Sequence, residues 1–339
     1  MELKFYSFDL KFRYPFKIAS GIRTTTPVVF TELSVGGMTG YGEAALPPYL
    51  PENQESVIAW LKLLDLRDFN ESFSPGDVIS QLENESGDNF PAMAAIDMAL
   101  HDLYGKIHNR PVHRIWADDT KHMPLNSYTL GMDTPAILTE KLKEAGDFSL
   151  LKVKLGGPYD NLIIKTVREH TTKALCVDAN QGWNDEFYAL DMICRLAEQN
   201  VLFVEQPFPK EDKKKYEWLF QRSPLPVIAD ESIQTSLDLD EAAELFHGIN
   251  IKLMKCGGMQ EAYRMIIKAK ALNMKILIGC MSESSCGVTA AAQLASFADW
   301  TDLDGPLLIT NDPFTGISYK YGRIVLSDAP GNGVEKRIA

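Results

Sequence analysis

In the run LLKVKLGG, Leu150 to Gly157, a strand would place Lys152 and Lys154 on one face and Leu151, Val153 and Leu155 on the other. Apolar segments then end on acidic or basic residues at near-regular intervals. CVD ends on Asp178, 24 residues after Lys154; FVE ends on Glu205, 27 later; IAD ends on Asp230, 25 later; NIK ends on Lys252, 22 later. Three carboxylates brought to one place repel and raise each other's pKa unless a cation neutralises them. An oxygen-only set, with no histidine or cysteine at the matching positions, suits Mg²⁺ and argues against zinc. Removing a proton next to a carboxylate creates an enediolate dianion, which a divalent cation and nearby ammonium groups stabilise. Nearby positive charge also lowers a lysine pKa, so one amine is expected to act as base near neutral pH. Lys154 and Lys252 flank the carboxylates on either side, and two bases on opposite faces imply racemisation or epimerisation.

The elements that must position these groups are short strands alternating with amphipathic helices. Strands are expected over 126–131, 150–156, 175–180, 202–207, 226–232, 250–255, 275–281 and 300–305, with helical spacers such as DEFYALDMICRLAEQN. Eight such units predict an α/β fold, a TIM-like (β/α)7β barrel whose strand ends converge on one mouth; an open doubly wound sheet is the alternative, but the first strand lacks a glycine-rich phosphate loop. Residues 1–120 read as an α+β capping domain, with strands in FYSFDLKF, VVFTELSV and TGYGEA, a polar loop IASGIRTTTP and a helix stopped by Asn109 and Pro111. The barrel is assigned to 121–310. Residues 311–339 are expected to return to the capping domain.

The chain carries 34 basic and 46 acidic residues, a net charge of −12, which disfavours nucleic acid and anionic membranes as partners. Its five cysteines, Cys176, Cys194, Cys256, Cys280 and Cys286, are odd in number and set in apolar runs, so they read as reduced core residues of a cytoplasmic protein. The six histidines (His101, His108, His113, His122, His170, His247) fall in expected helices and loops and read as structural. The amino terminus lacks a signal peptide's features, and no apolar run reaches membrane-spanning length.

KVK, VDANQGW, VEQP, ADES and NIKLMKCGG, in this order, resemble the enolase superfamily and specifically its muconate-lactonizing-enzyme subgroup. The likeness extends to the GYGEA strand and the PGNGV tail. It implies Mg²⁺ held by Asp178, Glu205 and Asp230, Lys154 and Lys252 as the acid/base pair, and Lys152 as an electrostatic aid beside the bound carboxylate. Thr129 resembles a position near the substrate carboxylate, and Asn180 and Glu231 resemble groups behind the ligands.

The subgroup spans several reactions, and TDLDGP discriminates among them. Asp302 and Asp304, two residues apart at the mouth, resemble the D-x-D by which dipeptide epimerases hold a substrate's α-ammonium. The implied reaction is inversion of the carboxy-terminal α-carbon of L-Ala-Xaa dipeptides, with a small-molecule dipeptide as partner; a homo-oligomer is compatible with it. N-succinylamino acid racemases and o-succinylbenzoate synthases remain alternatives, but have little use for paired aspartates facing a cation. A catalytically silent metal- or peptide-binding barrel would lack one base, and both are present. Family members acting on Ala-Glu use an arginine of the amino-terminal loop; Arg23 is the loop's only arginine and aligns beyond that position, with Ser20 or Gly21 nearer. A small or apolar Xaa is therefore expected, with the L-Ala-D/L-Glu reaction as the alternative.

Overall fold

A computed structural model describes residues 1–18, 21–85, 89–116 and 123–337. The capping unit opens with an antiparallel sheet of β1 (Glu2–Ile18), β2 (Gly21–Val35) and β3 (Met38–Ala45), in that order. Three helices follow: α1 (Gln54–Leu61), α2 (Pro75–Glu85) and α3 (Phe90–Ile107). The glycines of GYGEA let α3 lie against β3, because a Cβ at Gly42 would meet the Ala95 carbonyl oxygen at 1.8 Å, and one at Gly40 that of Ala99 at 2.1 Å. Beyond α3 the chain turns at Asn109, whose φ of 50° is left-handed, as the Asn-Pro stop predicts.

Of the segment expected to be a polar loop, residues 18 and 21–27 are instead strand. β1 and β2 continue as a hairpin with Phe16 opposite Arg23 and Ile18 opposite Gly21, after a register shift between Lys11 and Phe16. Its β-branched residues, Ile22 and Thr24 to Thr26, favour extended backbone despite their polarity. Ser20 lies outside the described residues, as do His122 and the expected boundary at 120 and 121.

The barrel is built from β4 (Leu125–Leu130), β5 (Leu150–Lys154), β6 (Ala174–Asp178), β7 (Val201–Glu205), β8 (Val227–Ala229), β9 (Gly248–Ile251), β10 (Lys275–Gly279) and β11 (Trp300–Asp302). Consecutive strands pair in parallel, and β11 pairs with β4 to close the ring. Val153 and Val177 face the helices, whereas Leu150, Cys176, Phe203, Ile228 and Leu277 pack together in a separate interior cluster. By alternation, Lys152, Lys154 and Asp178 point into the same interior. The run NIKLMK is not strand throughout: β9 ends at Ile251 and Leu253–Cys256 forms one helical turn. Gly257, at φ 90°, ends that turn by donating its N–H to the Leu253 carbonyl, so the CGG glycines decide the geometry.

The tail divides between both units. Phe314 stacks against Phe30 and Tyr41 of the cap, at ring separations of 5.0 and 5.4 Å, and Lys336 pairs with Glu32 at 2.7 Å. Between them, β12 (Ser318–Lys320) and β13 (Arg323–Val325) form a hairpin that extends the barrel sheet beside β4. All five cysteines are free, but Cys194 is exposed, since the buried face of its helix runs through Ala189, Met192, Ile193 and Leu196. No described helix is long and apolar enough to cross a membrane.

Asp97 of α3 couples cap to barrel. It accepts the Met259 and Gln260 backbone N–H groups, capping the helix Met259–Ala271, and sits 3.2 Å from His101. Burial alone would lower the His101 pKa, but Asp97 outweighs it and raises it. Asp97→Ala is expected to cost about 1–3 kcal/mol in chemical denaturation by leaving the buried N–H groups of a helix end and the His101 ring without their acceptor. Because the His101 pKa is raised on folding, its stabilisation is full below about pH 6.5 and fades as pH rises through the folded value. In the variant burial acts alone, so this component should change sign, with stability lost as pH falls.

Candidate active site

At the centre of the barrel mouth lies the ammonium group of Lys152, 1% exposed. It is 2.7 Å from Asp302, 2.8 Å from Glu205 and 3.0 Å from Asp178, so one cation ties β5 to β6, β7 and β11. Burial alone would lower its pKa; Asp178, Asp302 and Glu205 together hold it well above the ordinary lysine value. Lys154, one pleat nearer the mouth, donates to Asp178 Oδ2 at 2.6 Å.

Lys252 donates to Asp230 Oδ2 at 2.6 Å. β5 and β9 are four strands apart in a ring of eight, so Lys154 and Lys252 enter from opposite walls. Without a cation in the site, burial alone would lower the Lys252 pKa, but Asp230 overrides it and holds it well above the ordinary value.

Asp178, Glu205 and Asp230 are all buried and offer oxygens within 4.8 Å of one another. Asn250 Nδ2 donates to Glu205 Oε1 at 2.7 Å, while Glu205 Oε2, although 2.8 Å from Lys152, has no hydrogen-bond partner among the described residues. Asn180 Nδ2 reaches Glu231 Oε1 at 3.4 Å. Six carboxylates (Asp178, Glu205, Asp230, Glu231, Asp302, Asp304) lie among the ammonium groups of Lys152, Lys154, Lys252 and Lys255, and Arg23, Glu52 and Lys210 also line the cavity. Burial and neighbouring carboxylates push Glu205 up to about 8, and Glu231 and Asp304 each up to about 7. Three buried carboxylates within 4.8 Å of one another, a hard oxygen-only donor set, fit a divalent cation.

Asp302 ends β11 and accepts from Ser127 Oγ at 2.6 Å as well as from Lys152. Asp304 lies just past the strand, before the turn Gly305–Leu308, and accepts the Thr129 backbone N–H at 2.6 Å. Both carboxylates line one cavity of about 400 Å³ with Thr129, Lys152, Lys154, Lys252, Asn180 and Glu231. Arg23 lines it too, brought in by the β1–β2 hairpin. Its guanidinium is 5.6 to 5.7 Å from the rings of Phe12, Phe16 and Tyr49, with Thr26 and Ser282 hydroxyls at 3.3 and 3.5 Å.

Sequence reasoning passed over Tyr49, Asn250, Lys255 and Ser282. Asn250 was findable, since strand alternation puts it on the Lys252 side. Lys255 was hidden by reading a helical turn as strand, and Tyr49 reaches the cavity only through the docking of the cap.

Because Glu205 is held up to about 8, it is protonated at pH 7 and must ionise to receive a cation. Calorimetric titration of the metal-free protein with a divalent cation, in buffers of different ionisation enthalpy, should therefore show proton release at pH 7. Uptake, or no release at any pH, would contradict the arrangement.

Two family descriptions match the chain: the mandelate racemase/muconate lactonizing enzyme N-terminal domain over residues 2–116, and the enolase C-terminal domain-like family over 136–337. An L-Ala-D/L-Glu epimerase from Bacteroides thetaiotaomicron is 47% identical over 337 residues, covering 99% of this chain and 88% of that one. An L-Ala-D/L-amino acid epimerase from Maribacter sp. is 36% identical, over 98% of this chain and 99% of that one. The crystal structure of a dipeptide epimerase from Cytophaga hutchinsonii, in complex with Mg and D-Ala-L-Val, superposes with a TM-score of 0.90 at 26% identity, over 99% of this chain and 95% of that one. A barrel mouth with three clustered carboxylates between opposed lysines, beneath a cap of matching sequence, places the chain in the enolase superfamily, as a member of its mandelate racemase/muconate lactonizing enzyme family.

Proposed function

We propose that the chain is a Mg²⁺-dependent dipeptide epimerase inverting the carboxy-terminal α-carbon of L-Ala-Xaa dipeptides. The observation that carries this reading is the entry of Lys154 and Lys252 from opposite walls of the barrel, with Asp178, Glu205 and Asp230 on the strands between them. Those three carboxylates would hold Mg²⁺, which when bound supplies the positive charge that makes a proton next to the substrate carboxylate acidic. Lys154 and Lys252 exchange that proton on opposite faces, one removing and the other delivering, with roles reversed in the return direction. Lys152 adds a fixed positive charge where negative charge develops, and its three carboxylate contacts keep it from moving. Asn180 and Glu231, 3.4 Å apart, line the cavity beside the ligand carboxylates. Lys252 can act as a base only when Asp230 no longer holds its proton, a condition met when the Asp230 charge is engaged by a cation.

Asp302 and Asp304 would grip the α-ammonium of the first residue, with the Thr129 N–H fixing Asp304. The capping unit, residues 1–120, contributes Arg23 and Tyr49; the barrel, 121–310, contributes the acid, base and ligand groups; and 311–339 ties the two together. Five free cysteines suit a cytoplasmic location.

The cavity supports two classes of Xaa. Phe16, Met281 and Leu308 suit the small or apolar side chain expected from the sequence. Arg23 favours an acidic one, since it has no carboxylate partner among the described residues and burial already lowers its pKa. The relative at 47% identity, itself an L-Ala-D/L-Glu epimerase, supports the acidic class.

The test is kcat/KM for L-Ala-L-Glu, L-Ala-L-Val and N-succinyl-L-Val with Mg²⁺ present. Succinylation removes the ammonium that two carboxylates await, and each lost charge-assisted hydrogen bond costs about 1.5–3 kcal/mol, or more than about tenfold. Both free dipeptides should therefore exceed the succinylated compound, with the Glu dipeptide ahead. Preference for N-succinyl-L-Val would contradict the dipeptide reading; preference for the Val dipeptide would contradict only the role of Arg23.

A further inference from the structure

The segment NIKLMK supplies more than Lys252. Asn250, two residues earlier on the same inward face, is fully buried and donates through Nδ2 to Glu205 Oε1 at 2.7 Å. Gly279 on the adjacent strand leaves it room, as a Cβ there would meet Asn250 Oδ1 at 2.5 Å. Lys255, three residues later on the helical turn, points back beneath the site. Its ammonium group donates to Asp230 Oδ1 at 2.7 Å, to the Asp230 carbonyl and to the Asn250 carbonyl at 3.0 Å.

The three acceptors use all three N–H donors of Lys255. Lys154 and Lys252 differ, each having one acceptor among the described residues and two donors left to face the cavity. Asp230 is held on both sides, by Lys255 on Oδ1 and Lys252 on Oδ2. A satisfied, immobile ammonium serves to hold a carboxylate; a partly satisfied one is free to exchange protons.

We propose that Asn250 and Lys255 are positioning residues forming one brace, which fixes Glu205 through the Asn250 amide and Asp230 through the Lys255 ammonium, and thereby sets the protein's affinity for its divalent cation. The brace rests on the reading of Asp178, Glu205 and Asp230 as cation ligands. The backbone of Asn250 joins its two halves, so two ligands from β7 and the end of β8 are aligned by one stretch of β9 that also carries Lys252. Partners of this kind behind metal ligands typically contribute about 10- to 100-fold in affinity.

The experiment is Mn²⁺ binding to the metal-free protein, followed by electron paramagnetic resonance, for the wild type, Asn250→Ala, Lys255→Met and Lys255→Arg, each first checked for folding by calorimetry. Wild-type protein should bind one Mn²⁺, and Asn250→Ala and Lys255→Met should each weaken it by about 10- to 100-fold. Lys255→Arg, which keeps charge and donors, should recover most of the loss. In turnover, the Mg²⁺ concentration for half-maximal rate should rise by a larger factor than kcat falls. Unchanged Mn²⁺ affinity in Lys255→Met would overturn the brace, as would tighter binding, the result if Lys255 acted only by repelling the cation. Should Asn250→Ala fail to fold, Lys255→Met and Lys255→Arg decide alone. Absence of stoichiometric Mn²⁺ binding in the wild type would instead overturn the ligand reading.

Discussion

The structure depends on one buried ammonium group. Lys152, within 3.0 Å of carboxylates from three other strands, is placed where an isolated charge would be strongly disfavoured. Desolvation of these four groups is offset only by their mutual contacts, so losing any one strands the others. Lys152 therefore does two things with one set of contacts. It makes a barrel end rich in negative charge compatible with a folded state, and it fixes positive charge on the floor of the cavity. Burial, and after it the neighbouring carboxylates, pushes Glu205, Glu231 and Asp304 up so that they hold protons at pH values where exposed carboxylates would not. A site with clustered carboxylates is prepared for a metal cation and for the ammonium end of a substrate.

Much of this was legible in the sequence because strand alternation and βα spacing are strict. Placing Lys152 and Lys154 on one face needed only period two, and placing Asp178, Glu205, Asp230 and Lys252 at one mouth needed only repeats of 22 to 27 residues. What was not legible depended on where elements stop and on three-dimensional charge. NIKLMK looks apolar enough for a continuous strand, yet Gly257 and Gly258 bend it into a turn that sends Lys255 under Asp230. IASGIRTTTP looks polar enough for a loop, yet β-branched residues pair it into a hairpin carrying Arg23. The rise at Lys252 in the cation-free site depends on a carboxylate 2.6 Å away, a distance no spacing rule supplies.

The cap is rigidly tied to this chemistry by groups far from it in the chain. Asp97 caps a barrel helix, Asp102 accepts N–H groups from Tyr41 and Asn332, and Glu43 accepts those of Ser284 and Gly287 just beyond the seventh barrel strand. With the cap so anchored, the β1–β2 hairpin brings Arg23 to the cavity while the barrel keeps every acid and base. Side-chain preference can thus change through the cap without disturbing proton transfer, a division suited to a family whose members differ in substrate.

The central claim is that two opposed lysines exchange one α-proton through opposite faces. Its most direct test is epimerisation in D₂O, with early-time NMR of the α-position in both diastereomers, for the wild type, Lys154→Ala and Lys252→Ala. The two-base account predicts a product deuterated at the α-position from the first turnover. Each variant should lose epimerisation while still exchanging the α-proton of one diastereomer, a different one for each lysine. Early product that retains the substrate's own α-proton, or a variant that epimerises at nearly the wild-type rate, would contradict it.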